Sequence, residues 1–194
     1  MDMARWEPDA RGRLLQAAIE LFGARGYDTT TAAQIAEHAG LTRTTLFRHF
    51  ADKREILFQG QEALVASAME GVESAPADSQ PFDALRAAVA ALCTIHTADR
   101  RDTGRRLDTI LASSPELQER AVFKRSAITN ALHGALTARF GDARQAAVLA
   151  DVGVRAYYDG FASWITSSDE GPLAEVVEHE LDEYGSVLSR MTVG

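Results

Sequence analysis

The sequence predicts an all-α protein of about nine helices, and three observations carry that prediction. Apolar residues recur at three- and four-residue spacing through most of the chain, the period of a helix with one buried face. Capping residues and glycines fall at the ends of these periodic segments. Alanine is plentiful and prolines number only five among 194 residues, so few positions forbid a helix.

The first segment, residues 11–25, puts Leu15, Ala18, Ile19 and Phe22 on one face, with Asp9 set to cap its start and Gly26 to stop it. Thr31 opens the second. Gln34, three residues on, gives capping-box spacing, Ile35, Ala36 and Ala39 supply a short buried face, and Gly40 ends it. Leu41 and Leu46 flank Thr42 as the halves of a hydrophobic staple, which predicts a third short helix over 43–50. Asp52 and Glu55 repeat the capping spacing and predict a long fourth helix with a stripe through Leu57, Leu64, Ala68 and Val72.

Residues 74–81, SAPADSQP, read as a linker, and Pro81 suits the first turn of a fifth helix bearing Leu85, Val89, Leu92 and His96. The run DRRDTGRR at 99–106, with aspartates among its arginines, reads as a solvated face. Ser114 and Pro115 start another helix, through Phe123, Ile128 and Leu132 to about Gly141. Asp142 with Gln145 caps the next, over 143–166, which is apolar on nearly all sides. The last begins at Pro172 and shows Leu173, Val177, Leu181, Tyr184, Leu188 and Met191 opposite an acidic face.

Net charge is −8, which by its sign argues against a polyanionic partner. Its distribution reverses that conclusion. The first 60 residues hold eight Lys+Arg and eight Asp+Glu, so the whole acidic excess lies beyond them, twelve basic residues against twenty acidic. Within 43–54, Arg43, Arg48, Lys53 and Arg54 face Asp52 alone.

No run of about 18 uncharged apolar residues occurs, and the opening MDMARWEPDARGR has no signal-peptide core, so the expectation is a cytoplasmic protein without a membrane span. The single cysteine, Cys93, allows neither an internal disulfide nor a cysteine-only zinc site. His96 stands three residues away, but without a third clustered ligand the pair predicts no metal. No G-x-S-x-G, HExxH, GxxxxGK[ST] or Rossmann pattern is present, so neither an enzyme nor a cofactor is expected.

Two short helices joined by a tight glycine-containing turn make a helix-turn-helix, whose second helix can lie in the DNA major groove. A cation at a helix N-terminus costs about 0.3 to 1 kcal/mol. Arg43 nevertheless falls at N1 of the third predicted helix, and Lys53 and Arg54 at N1 and N2 of the fourth. A duplex phosphate would offset that cost, making Thr31, Thr42 and Lys53 candidate backbone-positioning groups. Leu46 and Phe50 share the inward direction of the third helix, while Thr44 and Arg48 project outward and Arg43 leads its end. Phe47 lies part-way round from Leu46, which leaves core and surface placements both open.

The stretch GYDTTTAAQIAEHAGLTRTTLFRHFADKREIL resembles the DNA-binding segment of TetR-family transcriptional regulators, over about residues 9–60. The resemblance implies that Thr31, Thr42, Arg43, Thr44, Thr45, Phe47, His49 and Lys53 face DNA, and Arg48 joins them by its outward direction. Two positions depart from the family pattern. Phe47 stands where Tyr is usual and Ala33 where Arg is frequent, which removes two phosphate contacts.

Beyond residue 60 the resemblance is one of architecture. It implies a DNA-binding domain at 9–52 and a regulatory domain at 53–194 that binds a small-molecule effector and forms a homodimer through the helices at about 143–166 and 172–191, with Gly153 and Gly160 allowing close approach. Expected partners are a pseudo-palindromic operator in double-stranded DNA and an effector whose binding releases that DNA. Gating by a protein partner, with no small molecule, is the alternative. Leu92, Cys93, His96, Phe123, Tyr157, Phe161 and Trp164 are the candidate pocket lining, although aromatics at helical spacing are also what a core contains.

Overall fold

The structure, a computed structural model, describes residues 9–168 and 171–192. Among these residues there are nine α-helices, two short 3-10 helices and no strand, so the all-α expectation holds. They group into two compact units, one made of residues through Gln59 with Arg106–Ala121, the other of Gly60–Arg105 with the chain from Val122 onward.

In the first unit, α1 (Ala10–Arg25), α2 (Ala32–His38) and α3 (Arg43–His49) enclose a core of Leu14, Ile19, Phe22, Ile35 and Leu46. Asp9 caps α1 through the Gly12 N–H, and Gly26, at φ 86°, ends it. Thr31 and Gln34 form the complete capping box of α2. At its far end Gly40 adopts φ 67°, and the Leu41 N–H returns to the Ala36 carbonyl, which turns the chain toward α3 within a few residues. Thr42 caps α3 by accepting from the Thr45 N–H at 3.1 Å. Phe50 is buried and extended, closing α3 one residue earlier than its periodicity suggests. Ile110 and Leu117 complete this core from the later segment.

The predicted long fourth helix is not formed as expected. Asp52 does cap, accepting from the N–H groups of Arg54 and Glu55 at 2.8 and 3.0 Å, but only a 3-10 turn, Glu55–Phe58, follows. Gly60 then takes φ 91°, a left-handed conformation that no α-helix passes through, and α4 begins afresh at Gln61 and runs to Ser74. The apolar stripe is divided at that point. Ile56 and Leu57 belong to the first core, whereas Leu64, Ala68 and Val72 belong to the second.

The second unit contains α4, α5 (Pro81–Cys93), most of α7 (Pro115–Phe140), α8 (Ala143–Thr166) and α9 (Leu173–Thr192) around Leu85, Leu92, Ile128, Leu132, Ala150 and Ile165. The run 99–106 is a solvated face in part, with Asp99, Arg100, Asp102 and Arg105 exposed. It enters α6 (Arg101–Ala112), where Arg101 donates from Nε to the Trp164 carbonyl at 2.6 Å and from a terminal nitrogen to the Ser167 carbonyl at 3.0 Å. Arg105 donates to the Ile165 carbonyl at 2.9 Å. Two cations thus satisfy carbonyls at the C-terminus of α8, where the helix dipole favours positive charge. Arg139 does the same for α4, reaching the carbonyls of Val72 and Ala75 at 2.6 and 2.8 Å.

Gly153 and Gly160 are also used within the chain. A Cβ on Gly153 would stand 2.5 Å from Leu85 Cδ1, and one on Gly160 would stand 2.7 Å from Val177 Cγ2. They let α8 approach α5 and α9, and the stripe Leu173, Val177, Leu181 is buried in that contact. Gly153, Gly160 and the first part of the α9 stripe thus serve contacts inside this unit, while Val148, Val187 and Met191 are exposed apolar side chains on α8 and α9.

Candidate nucleic-acid interface

Leu46, fully buried, anchors α3 and fixes which residues point away from the core. Thr42, Arg43, Thr44, Phe47 and Arg48 are exposed, Thr45 and His49 half-buried. The two placements open for Phe47 resolve to the surface: it is 42% exposed, with the Arg43 guanidinium 5.3 Å from its ring centre. Thr31 is exposed at the start of α2, its hydroxyl accepting from the Gln34 N–H at 3.2 Å. The hydroxyls of Thr42 and Thr45 are joined at 2.9 Å. His49 Nε2 is enclosed without a hydrogen-bond partner.

The cations beyond α3 are arranged differently from the expectation of two unpaired charges at a helix start. Lys53 and Arg54 lie in the turn capped by Asp52, and both have protein partners. Lys53 Nζ donates to the carbonyls of Tyr27 and Thr30 at 2.7 and 2.9 Å and sits 4.1 Å from the Tyr27 ring centre. Arg54 pairs with Asp52 at 3.1 Å and with Glu116 at 3.4 Å. Glu116 also accepts from the Tyr27 hydroxyl at 2.9 Å, and Glu55 pairs with Arg120 at 2.6 Å. Burial, with the Glu116 carboxylate beside it, raises the Tyr27 phenol well above its ordinary pKa. Sequence spacing could not find Glu116 or Arg120, which lie more than 60 residues from the groups they bind.

In the second unit six of the seven candidate pocket residues come together. His96 Nε2 and the Tyr157 hydroxyl are 2.6 Å apart, the His96 and Phe161 ring centres 4.9 Å, and those of Phe161 and Trp164 6.0 Å. Leu92 and Cys93 are buried on α5 in the same core, the thiol donating to the Val89 carbonyl. Burial, reinforced by Arg100, pushes His96 down to about 4, and burial pushes the Cys93 thiol up to about 12. Both are therefore neutral at pH 7, and the cysteine is no thiolate nucleophile. Phe123 does not join them, being 60% exposed on α7. Gly104 belongs here although its place in the sequence gives no sign of it: a Cβ there would meet Phe161 at 3.1 Å, so the first turn of α6 packs closely on Phe161. An open groove of about 910 Å³, lined by His133, Asp142, Arg144 and Val148 among others, shares no residue with it. Among the described residues no group of three His, Cys, Asp or Glu could hold a metal ion, and no helix is long and apolar enough to cross a membrane.

Residues 14–59 match the family model of bacterial regulatory proteins of the tetR family. The N-terminal segment is a TetR-family helix-turn-helix, and the all-α fold is the one found in that family's regulators. The regulator TcmR of Streptomyces glaucescens is 38% identical over 82 residues, 42% of this chain and 36% of that protein. The chain spans about a third to a half of the length of the curated relatives it matches. A TetR-family regulator of Streptomyces coelicolor A3 aligns over 95% of this chain and 98% of its own, with TM-score 0.53 and 21% identity. The transcriptional regulator FadR of Bacillus subtilis, solved with stearoyl-CoA, aligns over 88% and 95%, with TM-score 0.59 and 18% identity. At these identities the two structures establish a shared fold.

Proposed function

We propose that this protein is a DNA-binding transcriptional regulator that acts as a homodimer, laying α3 of each subunit in a major groove of a pseudo-palindromic operator. The observation that carries the reading is the outward face of α3. Thr42, Arg43, Thr44, Phe47 and Arg48 are all exposed on a helix pinned by the fully buried Leu46, in a segment that matches a DNA-binding family. Arg43 and Arg48 supply charge for phosphates or guanine edges, Thr44 a hydroxyl for a base edge, and Phe47 an apolar face for a sugar or a thymine methyl. Thr31, Thr42, Thr45 and His49 complete the contact set. The DNA-binding domain is then residues 9–52, and 53–194 is regulatory.

The regulatory part is proposed to dimerise through the outward faces of α8 and α9 and to respond to a small molecule at the His96–Tyr157–Phe161–Trp164 cluster, with release of DNA. A protein of the same fold, the Bacillus regulator, is crystallised with stearoyl-CoA, so the fold can hold an apolar guest. Gating by a protein partner is the second reading. It is favoured by the closure of the cluster, where Leu92, Tyr157 and Trp164 are at most 3% exposed.

The test is enrichment from a random-sequence duplex pool followed by fluorescence anisotropy. A regulator of this kind should select an inverted repeat with half-sites about one turn, 10 to 10.5 bp, or a multiple of it apart. Failure to enrich any sequence would end the proposal. Thermal-shift screening of the wild type with acyl chains and aromatic acids separates the two regulatory readings, since only the first predicts a ligand that raises the melting point.

A further inference from the structure

We propose that Arg13 is a positioning residue of the helix-turn-helix: from α1 it fixes the turn between α2 and α3, and with it the direction of α3 that sequence-specific DNA binding requires. The inference rests on the DNA-binding reading above.

The turn depends on a residue that is loose by nature. Gly40 adopts φ 67°, which side chains disfavour, yet glycine also has the greatest conformational freedom of any residue. Its two backbone angles are rotations of the peptide planes that meet at its Cα. One plane holds the Ala39 carbonyl and the Gly40 N–H, the other the Gly40 carbonyl and the Leu41 N–H. The last turn of α2 holds the nitrogen side of each. The Gly40 N–H donates to the Glu37 carbonyl at 2.9 Å, and the Leu41 N–H to the Ala36 carbonyl at 2.8 Å.

Arg13 holds the oxygen sides. Its Nη2, which carries two protons, donates to the Ala39 carbonyl at 2.5 Å and reaches the Gly40 carbonyl at 3.4 Å. A Cβ on Gly40 would stand 2.8 Å from that same nitrogen, so the guanidinium is laid directly against the glycine. Both planes are thus held at both ends, and the angles of Gly40 are fixed between them. Both carbonyls also lie at the C-terminal end of α2, where the helix dipole favours a cation. In α1 itself Arg13 stands in the first turn, the end at which a helix disfavours positive charge, so the charge serves α2 and not its own helix.

The anchor for this contact is firm. Arg13 is half-buried, and Leu14, Ile19 and Phe22 seat α1 in the core of the unit. Seven residues along the same face, Glu20 Oε2 lies 2.7 Å from His38 Nε2, so α1 touches the last residue of α2 as well. Thr42, the cap of α3, follows Leu41 directly, and any change in the angles of Gly40 swings α3 about its start.

Arg13→Gln keeps an amide too short to serve both planes, and Arg13→Lys keeps the charge without the fork. Both are compared with wild type on the duplex enriched from the random pool and on a scrambled duplex of equal length. Anisotropy gives the ratio of the two affinities, a thermal melt reports folding, and hydrogen exchange reads the Gly40 and Leu41 N–H groups. A positioning role predicts that Arg13→Gln loses roughly tenfold in the ratio, the scale of one mismatched base pair, with faster exchange at those two groups. Arg13→Lys should lie between it and wild type, and carries the same comparison should Arg13→Gln not fold. An unchanged ratio overturns the proposal whatever happens to the melt, and equal weakening on both duplexes with a salt slope smaller by about 0.9 per subunit would assign Arg13 to a phosphate instead. Wild-type exchange at Gly40 and Leu41 in both variants overturns it too. If the wild type enriches no sequence, the DNA-binding reading falls and the effect on specificity with it, while exchange at the turn still decides whether Arg13 holds it.

Discussion

Replacing Gly160 with Ala tests whether α8 spends its glycines inside the chain. The new methyl would stand 2.7 Å from Val177 Cγ2 and 2.9 Å from Val177 Cα, and the second of these is backbone, which a rotamer change cannot relieve. Helix propensity alone would favour Ala over Gly by about 1 kcal/mol. Overpacking of this kind costs typically about 1 to 3 kcal/mol, and the lack of a flexible neighbour places the site toward the upper part of that range. The net expectation is a loss of about 1 to 2 kcal/mol, or roughly 2 to 8 °C in melting temperature for a chain of this size. Gly134 on α7 supplies the opposite case. It is exposed, and a methyl added there would find nothing within 4 Å, so Gly134→Ala keeps only the propensity gain and should melt about 2 to 4 °C higher. Calorimetry of the two variants, with sedimentation equilibrium on the same samples, makes the comparison. Gly160→Ala melting at or above wild type would refute the packing account. So would an unchanged melt accompanied by loss of dimer, since the glycine would then be serving a second subunit.

Arg43→Gln and Arg48→Gln should each lower the salt slope by about 0.9 per subunit if each meets a phosphate, whereas a guanine contact would instead relax sequence preference at one operator position; a salt series on the enriched duplex and its single-base variants decides between them. Arg101→Met should lower the melting temperature by removing donors from the Trp164 and Ser167 carbonyls, and faster hydrogen exchange should be confined to the C-terminal turns of α8; protection equal to wild type there would contradict the capping role. His96, held neutral down to about pH 4 by burial against an ordinary value of 6.5, binds its proton more readily when the chain is unfolded. Its contribution is therefore full above about pH 6.5 and is lost as pH falls from 6.5 toward 4, so His96→Phe should flatten the stability profile across that window, and an identical acid limb in both proteins would count against the buried, neutral imidazole.

Helix existence was legible because its determinants are local. Thr31 with Gln34, Thr42 with Thr45, and the Gly26 and Gly40 terminations all act within four residues, and each is found where spacing puts it. The fourth helix failed through one residue of the same local kind. The stripe from Leu57 to Val72 keeps helical period across Gly60, and periodicity carries no record of the backbone angle that breaks it. Packing partners were less legible, since an apolar face looks alike whether it is covered by the same chain or by another. Gly153 and Gly160 announce a close approach without saying to what, and it took the positions of Leu85 and Val177 to answer.

Charge was the least legible property, for a reason specific to its acceptors. A carboxylate partner leaves a trace in the sequence, but a backbone carbonyl leaves none. Arg101, Arg105, Arg139 and Lys53 each donate to backbone carbonyls, Arg105 to the Asp102 carboxylate as well, so runs such as DRRDTGRR and DKRE look like solvent-facing charge or charge awaiting an anion. In the turn after α3, Lys53 donates to carbonyls and Arg54 pairs with carboxylates. What remains on the exposed face of α3 is Arg43 and Arg48. A local charge excess therefore counts the cations of a segment without saying which acceptors inside the chain they already meet, and that follows only when each donor is assigned an acceptor.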